Sequence, residues 1–528
     1  MCGLIAFVEP RITLNTALAM FESGKNRGPD NTSFEVISSG MWMGFHRLAI
    51  NGVSDPAANQ PLVYKQWILV CNGEIYNSVE LYQAMGVVPN TQSDCEVILH
   101  LFERYGIDQT LHMIDASEFA FVLYDTLTHS VYAARDPYGV RPLYVARHNE
   151  MVTIGSELKS IMAVNSTYES VQPGTILEYK DRAWSKRAYH ALPHINWGFH
   201  ADPVAHVHKS LYEAVLKRVQ NTERPIACLL SGGIDSSIIT ALVVQCRRSL
   251  GYTDPVETYS IGMEGGEDLR FASLVADHLQ TKHTTVIVDE DSFFAAIPQV
   301  IHAIESYDTT TVRASVGNYL VAKYIREHSE AKVIFNGDGA DEVAGGYLYF
   351  RMAPDPIAAD AECRRLLTDI HCFDAQRSDR SIASNGLEAR TPFLDREFVQ
   401  AYLSLPPHVR LPSGAQEKML LRAAFGNLLP PEVARRTKEA FSDGVSSLNK
   451  SWFKIIQERI PAEIVSEFNN YKWSRETWHN SPQTPEQYYY RTVYNQYYSQ
   501  AATTIPYFWM PRFVEATDAS ARTLSTYH

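Results

Sequence analysis

The clearest hydrophobic pattern in the chain is a short apolar run that leads into a glycine-rich turn and an amphipathic segment. Residues 225–230, PIACLL, are almost all apolar and predict a buried β-strand. The next seven residues read SGGIDSS. Apolar residues then recur on one face at helical spacing, at Ile238, Ile239, Leu242, Val243 and Cys246. A strand, a glycine-rich loop and a helix in this order turn backbone N–H groups towards phosphate.

The remaining pattern predicts two domains. Residues 187–204 show neither helical nor strand periodicity, and we interpret them as a linker between a domain over 1–186 and a domain over 205–528. A second apolar strand ends at Ser260-Ile261-Gly262-Met263. No stretch reaches the roughly 18 apolar residues that a membrane-spanning helix needs, so we expect no membrane association.

Composition narrows the function classes. The 528 residues carry a net charge of −13 without a basic run, which argues against a nucleic-acid partner. The seven cysteines include no CxxC pair and predict free thiols, with neither a disulfide framework nor a zinc site. Because the N-terminus lacks the charged and apolar regions of a secretory signal, we expect a cytoplasmic protein.

Cys2 is the first candidate catalytic residue. It follows Met1 directly, so removal of the methionine would leave a cysteine with both a thiol and a free α-amine. An unperturbed α-amine has a pKa near 7.7–8.0, so roughly 10–20% of it is neutral at pH 7 and can accept a proton. An amine that activates its own side chain is a known form of nucleophilic catalysis. The prediction therefore depends on removal of Met1.

Four motifs downstream of Cys2 match the needs of glutamine hydrolysis: RGPD at 27–30, HRLAI at 46–50, NGEIYN at 72–77 and SDCE at 93–96. Charge builds on the carboxamide oxygen when a thiolate attacks, so two hydrogen-bond donors must point there. Asn72 can offer its side-chain NH2 and Gly73 its backbone N–H. Arg47 could fork onto the substrate α-carboxylate, and Asp94 could hold the α-ammonium group.

The segment from Cys2 to about Leu177, including ARDPYG at 134–139 and GSELK at 155–159, resembles the class II glutamine amidotransferase domain, whose nucleophile is N-terminal. The resemblance implies a sandwich of two antiparallel sheets between helix layers, with Asn72 and Gly73 as the oxyanion hole. It assigns glutamine-binding positions to Arg47, Leu48, Ala49, Ile50, Asn51, Glu74 and Asp94. Asn26 and Ser117-Glu118 depart from the family pattern, and we expect altered packing there without loss of hydrolysis.

A second set of residues suits the activation of a carboxylate by ATP. The run NGDGADE at 336–342 places three carboxylates among glycines, a composition that suits Mg²⁺ bound together with phosphate oxygens. Arg313, Lys418 and Lys438 can neutralise phosphate charge while the α-phosphorus is attacked. The loop at 231–237 is not a Walker A loop, because the Gly-x4-Gly-Lys spacing is absent.

That loop resembles the pyrophosphate-binding loop of ATP pyrophosphatases, and residues 205–528 resemble the synthetase domain of the glutamine-hydrolysing asparagine synthetase family. GLEARTPFLD at 386–395, YFWMPRF at 507–513 and DASAR at 518–522 carry the resemblance. It implies a parallel-sheet domain in which ATP contacts Leu230, Ser231, Gly232, Gly233, Asp235, Ser236, Ser237, Ile261, Asn336 and Gly337. It places Asp235 and Asp341 on Mg²⁺ and pyrophosphate, Arg313 and Lys438 on the phosphates, and Asp338 in acyl-adenylate formation.

The residues and the resemblance together predict a two-domain enzyme of mixed α/β and α+β class. Its substrates would be glutamine, aspartate and ATP, with Mg²⁺ as cofactor, and the resemblance implies that ammonia released at Cys2 reaches β-aspartyl-AMP through an internal passage. One alternative is a relative that amidates another carboxylate or closes a β-lactam ring; another is a non-catalytic protein on the same fold. The oligomeric state stays open, with a homodimer as one candidate.

Overall fold

The computed structural model describes all residues except 163–165, 200, 412–415, 440, 448–449, 474–476, 521–522 and 524–528. His200 of the predicted linker, Ala440, and Ala521 and Arg522 of the DASAR motif thus lie outside the described residues. The chain forms two units, one comprising Met1–Ala191, Gln220–Pro225 and Ala383–Glu388, the other Leu192–Val219, Ile226–Ile382 and Ala389–His528. The domain limits set from the sequence, 1–186 and 205–528, stay a prediction.

The described part of the first unit contains twelve strands, which are β1 Gly3–Val8, β2 Asn31–Ser38, β3 Met41–Arg47, β4 Leu62–Tyr64, β5 Trp67–Gly73, β6 Phe119–Asp125, β7 Val131–Arg135, β8 Tyr144–His148, β9 Met151–Gly155, β10 Thr167–Ser170, β11 Thr175–Lys180 and β12 Ala183–Ala188. They form two sheets, β10-β8-β9-β1-β3-β2 and β12-β11-β7-β6-β5-β4. Every neighbouring pair is antiparallel. The helices are α1 Leu14–Glu22, α2 Ser78–Met85, α3 Val97–Met113 and α4 Leu158–Ile161.

Strand β5 shows how this unit is layered. Successive side chains of a strand point to opposite faces. Ile68 and Val70 belong to a core that includes residues of both sheets, whereas Leu69 and Cys71 belong to a second core that includes residues of α2 and α3. The two antiparallel sheets therefore pack face to face with helices outside them, which confirms the predicted sandwich fold.

The other strands form one sheet of order β15-β14-β13-β16-β17, with β13 Ile226–Leu229, β14 Glu257–Gly262, β15 Lys282–Ile287, β16 Val333–Phe335 and β17 Glu388–Arg390. The helices are α5 Pro203–Gln220, α6 Ile234–Ser249, α7 Glu267–Leu279, α8 Glu290–Ala295, α9 Ile297–Ile304, α10 Thr309–His328, α11 Ala340–Ala344, α12 Pro356–Asp369, α13 Asp374–Ala383, α14 Arg396–Leu403, α15 Pro407–Arg410, α16 Met419–Phe425, α17 Pro431–Ala434, α18 Phe441–Gly444, α19 Trp452–Arg459, α20 Ala462–Trp473 and α21 Pro485–Tyr498.

Strand β13 and helix α6 confirm the element pair predicted from the hydrophobic pattern. Strand β13 runs parallel to β14 and to β16, so the carboxyl ends of all three strands lie at the same edge of the sheet. Ligands of open α/β sheets bind outside this edge. The topology therefore brings together Leu230 and Asn336, which follow β13 and β16, and Ile261 near the end of β14. Among the described residues, no helix is apolar and long enough to cross a bilayer.

Candidate active sites

Cys2 lies directly before strand β1, and the thiol contacts the backbone of Leu48. Cys2 Sγ is 3.4 Å from Leu48 N and 3.6 Å from Leu48 O. Burial raises the pKa of the Cys2 thiol, and the nearby N-terminal ammonium group partly opposes this effect. Burial also lowers the pKa of the Met1 ammonium to about 6.

Asn72 lies at the end of β5 and forms a direct hydrogen bond with Cys2. Its Oδ1 accepts the backbone N–H of Cys2 at 3.0 Å. Its Nδ2 is buried and has no hydrogen-bond partner among the described residues. Gly73 follows in close contact with β6, since a Cβ atom there would lie 2.6 Å from Glu118 O and from Phe119 Cα. The pair can therefore supply the donors that the sequence predicts for an oxyanion hole.

Several of the predicted glutamine-binding residues are linked to one another by hydrogen bonds. Arg47 donates to Asn51 O at 2.9 Å, and Asn51 Nδ2 donates to Glu74 Oε2 at 2.7 Å. Asp94 Oδ2 accepts the N–H of Ile75 at 2.7 Å, next to Glu74 in the chain. The backbone of the loop between Arg47 and Asn51 also forms hydrogen bonds. The N–H of Ala49 donates to Asp30 Oδ2, and the carbonyl of Ile50 accepts the N–H of Glu223. The structure thus links Arg47, Asn51 and Glu74 directly, and Asp94 binds the backbone of the residue that follows Glu74.

A large cleft opens at the carboxyl edge of the parallel sheet. It encloses about 1260 Å³, part of which is open to solvent. The predicted residues that line it are Leu230, Ser231, Gly233, Asp235, Ser236, Ile261, Asn336, Gly337, Asp338, Asp341 and Lys438. Helix α6 begins at Ile234, so its positive N-terminal end faces this cleft. The loop that leads into α6 is stabilised by a 3.1 Å contact between the hydroxyls of Ser231 and Ser236.

Two carboxylates and two ammonium groups form a cluster on the wall of this cleft. Lys418 Nζ lies 2.6 Å from Asp235 Oδ2 and 2.5 Å from Asp341 Oδ1. Lys438 Nζ lies 2.7 Å from Asp341 Oδ2 and 3.5 Å from Asp235 Oδ2. Burial alone would raise the pKa of Asp341, but these two lysines hold it below its ordinary value. Asp235 Oδ1 is buried and accepts no hydrogen bond from any described residue.

Comparison with protein families and with named proteins shows the family to which the chain belongs. The family model described as "Asparagine synthase" matches residues 206–360 and 351–503, and the model described as "Glutamine amidotransferase domain" matches residues 1–207. The chain belongs to the asparagine synthase family. It is 39% identical over 559 residues to a Gallus gallus protein and 38% identical over 560 residues to a Homo sapiens protein, each named "Asparagine synthetase [glutamine-hydrolyzing]". Each alignment covers 100% of this chain and 99% of the relative.

In this member of the asparagine synthase family, the cleft also contains Tyr347, which sequence reasoning missed, together with Asp374 and Arg377, whose segment the resemblance predicts near the aspartate-binding site. The hydroxyl of Tyr347 lies 2.5 Å from Glu342 Oε1 and 2.8 Å from Asp374 Oδ2, and all three residues line the cleft. Burial and the charge of Asp374 raise the pKa of Glu342 well above its ordinary value. Arg377 bridges Asp374 and Asp338 at 2.9 and 2.8 Å. Glu342 could have been included from its place in the NGDGADE run, whereas nothing in the sequence marks Tyr347.

Four predicted residues of the synthetase site do not line the cleft, and one of them is Lys418, the fully buried lysine of the charged cluster. Gly232 packs against α7, where a Cβ atom would lie 2.4 Å from Ala272 N. Ser237 is fully buried one turn into α6. Arg313, predicted to act on phosphate, instead binds Glu486 and Asp518, and only 3% of its side chain is exposed. The prediction for Arg313 is corrected on this ground, because its guanidinium group is buried away from the cleft lining and is held there by two carboxylates of the protein.

Proposed function

We propose that the chain is a glutamine-dependent asparagine synthetase. The observation that carries this proposal is that one chain holds two arrangements. One is a cysteine bonded to Asn72, whose buried Nδ2 has no partner in the described part of the chain, and the other is a cleft at the carboxyl edge of a parallel sheet, next to a glycine-rich loop and a helix N-terminus. The first arrangement suits attack on a carboxamide, and the second suits activation of a carboxylate by ATP. The full-length similarity to two proteins named "Asparagine synthetase [glutamine-hydrolyzing]" supports the same function.

In the first reaction the Cys2 thiolate attacks the side-chain carboxamide of glutamine after its proton passes to the α-amine that removal of Met1 creates. Asn72 Nδ2 and the N–H of Gly73 stabilise the negative charge that develops on the carboxamide oxygen. Collapse of this intermediate releases ammonia and leaves a thioester. Water then hydrolyses the thioester to glutamate and restores the thiol.

In the second reaction the side-chain carboxylate of aspartate attacks the α-phosphorus of ATP and displaces pyrophosphate. The product, β-aspartyl-AMP, carries AMP as a good leaving group, and ammonia displaces AMP to give asparagine. Lys438 and the N-terminal end of α6 oppose the charge on the phosphates. The carboxylates of Glu342 and Asp374 suit the α-ammonium group of aspartate, and Arg377 suits its α-carboxylate.

We also propose that the synthetase reaction uses Mg²⁺ as a cofactor. Asp235 Oδ1 is buried without a hydrogen-bond partner in the described chain, so this oxygen can bind a hard cation, and Asp341 lies beside it. When bound, the ion would supply positive charge to the phosphate oxygens. We also propose that the protein lies in the cytoplasm and forms a homodimer. All seven cysteines are free thiols, which supports a reducing compartment. Sedimentation velocity would test whether the protein forms a dimer.

The decisive experiment measures pyrophosphate and asparagine with ATP, Mg²⁺ and aspartate, while nitrogen is supplied as glutamine or as ammonium. We expect asparagine from both nitrogen sources in the wild type. Cys2→Ala should lose the glutamine-dependent activity and keep the ammonium-dependent one, which serves as its internal control. Pyrophosphate formed with a different acid and not with aspartate would instead identify a relative that acts on another carboxylate. No turnover with any acid would contradict an enzymatic function.

A further inference from the structure

Arg313 connects helix α10 to the C-terminal segment, defined here as residues 505–520. Its guanidinium group binds Glu486 of α21 through two hydrogen bonds of 2.8 and 2.6 Å. It also binds Asp518 through two hydrogen bonds of 2.7 and 2.9 Å. Paired hydrogen bonds between arginine and carboxylate fix direction as well as distance. The position of Asp518 is thereby fixed relative to the synthetase fold.

Two residues beyond Asp518, the C-terminal segment contacts the short helix α18. The hydroxyl of Ser520 lies 2.9 Å from Asp443 Oδ1 and 3.1 Å from Asp443 Oδ2. Both residues are buried, with exposed fractions of 4% and 1%. Asp443 directly follows Ser442, and Ser442 and Phe441 line the cleft. The hydroxyl therefore binds a helix whose first two residues line the cleft.

The same segment contacts a second wall of the cleft. The backbone N–H of Trp509 donates to Asp308 Oδ1 at 2.7 Å, and its ring centre lies 5.3 Å from that of Tyr347, which lines the cleft. The segment thus reaches both the wall that holds the carboxylates and the wall formed by α18.

Helix α18 also packs on other parts of the cleft. Phe441 covers α10 at Gly317, where a Cβ atom would lie 2.9 Å from Phe441 Cζ. The carbonyl of Val445, next to the helix, accepts the N–H of Met263 at 2.8 Å. Lys438 precedes the helix by three residues and reaches Asp341. A displacement of α18 would therefore reshape the surface against which a nucleotide lies.

We propose that Ser520 is a positioning residue for the nucleotide cleft: its hydroxyl holds Asp443, and with it α18, while the Arg313–Asp518 pair anchors the segment that carries Ser520. This inference rests on the proposed function, because it takes the cleft as the ATP site. Loss of the hydroxyl removes one donor from a buried carboxylate, and the hydrogen bonds of charged groups are the stronger ones. The effect should fall on ATP binding, since Ser520 touches neither the lysines nor the carboxylates that line the cleft.

The test measures the equilibrium Kd of ATP by calorimetry, and kcat and KM for ATP with ammonium as nitrogen source. We expect Ser520→Ala to raise both Kd and KM about tenfold, with kcat changed less than about threefold. Ser520→Thr keeps the hydroxyl and should restore both values. Asp518→Asn should act in the same direction as Ser520→Ala. Thr517→Ala is the matched control, because Thr517 is exposed in the same segment, and it should equal the wild type.

An unchanged Kd and KM in Ser520→Ala would overturn the inference, as would a fall in kcat alone, which a loss of folded enzyme would produce. If Ser520→Ala does not fold, the other two variants test the inference. Ser520→Thr must then bind ATP as the wild type does, and Asp518→Asn must bind ATP more weakly. Failure of the proposed function would give a different experimental result from failure of this inference. The wild type would then form no asparagine from ammonium, while the ATP Kd could still be compared among the variants.

Discussion

Cys2 and Asn72 are joined by a single hydrogen bond that leaves half of the asparagine amide available. Asn72 Oδ1 accepts the N–H of Cys2 at 3.0 Å, and Nδ2 stays buried with no hydrogen-bond partner among the described residues. A buried donor without an acceptor costs free energy in the resting protein. Such a cost is expected for a donor whose acceptor becomes negatively charged only in the transition state.

The first prediction concerns this amide. Asn72→Ala removes the donor, and we expect the glutaminase kcat to fall by about 10²–10³-fold. Ammonium-dependent asparagine formation should stay near the wild-type rate, because Asn72 belongs to the other unit of the chain. Measurement of glutamate formation and of asparagine formed from ammonium separates the two effects. Asn15→Ala, on the exposed face of α1, is the control. Equal losses in both assays would indicate a folding defect and contradict the assignment.

Sequence reasoning worked where an element depends on residues close in the chain. The strand and helix around SGGIDSS followed from local periodicity, whereas the roles of Asn72 and Gly73, inferred from a six-residue motif, stay predictions. Arg313 shows the limit. Its partners Glu486 and Asp518 lie 173 and 205 positions away, and no local pattern indicates that they neutralise it. Tyr347 was missed for the same reason, because its contact with Asp374, 27 positions away, depends on how the segment after α11 lies against the start of α13.

The second prediction concerns the close approach of two loops in the cleft. Gly337 lies against the start of α6, where a Cβ atom would meet Asp235 Cβ and Ser236 N, each at 2.8 Å. Gly337→Ala must push the loops apart, so we expect the KM for ATP to rise about tenfold or more. In the control Gly426→Ala, the new Cβ atom would lie 3.7 Å from its nearest neighbour. Steady-state kinetics with varied ATP checks both variants, and a normal KM in Gly337→Ala would show that the loops do not form the nucleotide site.

The third prediction separates two lysines that bind the same carboxylates. Lys418 is fully buried, whereas 17% of Lys438 is exposed and this residue lines the cleft. Lys418→Met leaves two buried carboxylates short of a partner and should lower the free energy of unfolding by about 3–5 kcal/mol. Lys438→Met should instead lower pyrophosphate release by about 10²-fold or more with a smaller loss of stability.

Urea unfolding and a pyrophosphate assay, both applied to each lysine variant, provide the check. Lys454→Met is the control. Lys454 lies on α19, and it belongs to none of the ion pairs described for the cleft. The assignment is wrong if Lys438→Met turns over normally, or if Lys418→Met is as stable as the control. Either result would mean that the four-charge cluster does not support the synthetase site as its geometry indicates.

The fourth prediction is a pH dependence of stability at Glu96, two residues after Asp94. Burial would raise the pKa of Glu96, but hydrogen bonds from His100, Asn90 and Thr91 outweigh it and lower the pKa from 4.5 to about 2. A depressed folded pKa stabilises the protein above the unfolded pKa, and this contribution is lost as the pH falls towards 2. Glu96→Gln should therefore cost roughly 2–3 kcal/mol at pH 7 and progressively less between pH 5 and pH 3. Urea unfolding at pH 7, 5, 4 and 3 measures the difference, with Glu80→Gln on the exposed face of α2 as control. A difference that stays constant over this range would show that the carboxylate charge does not contribute to folding.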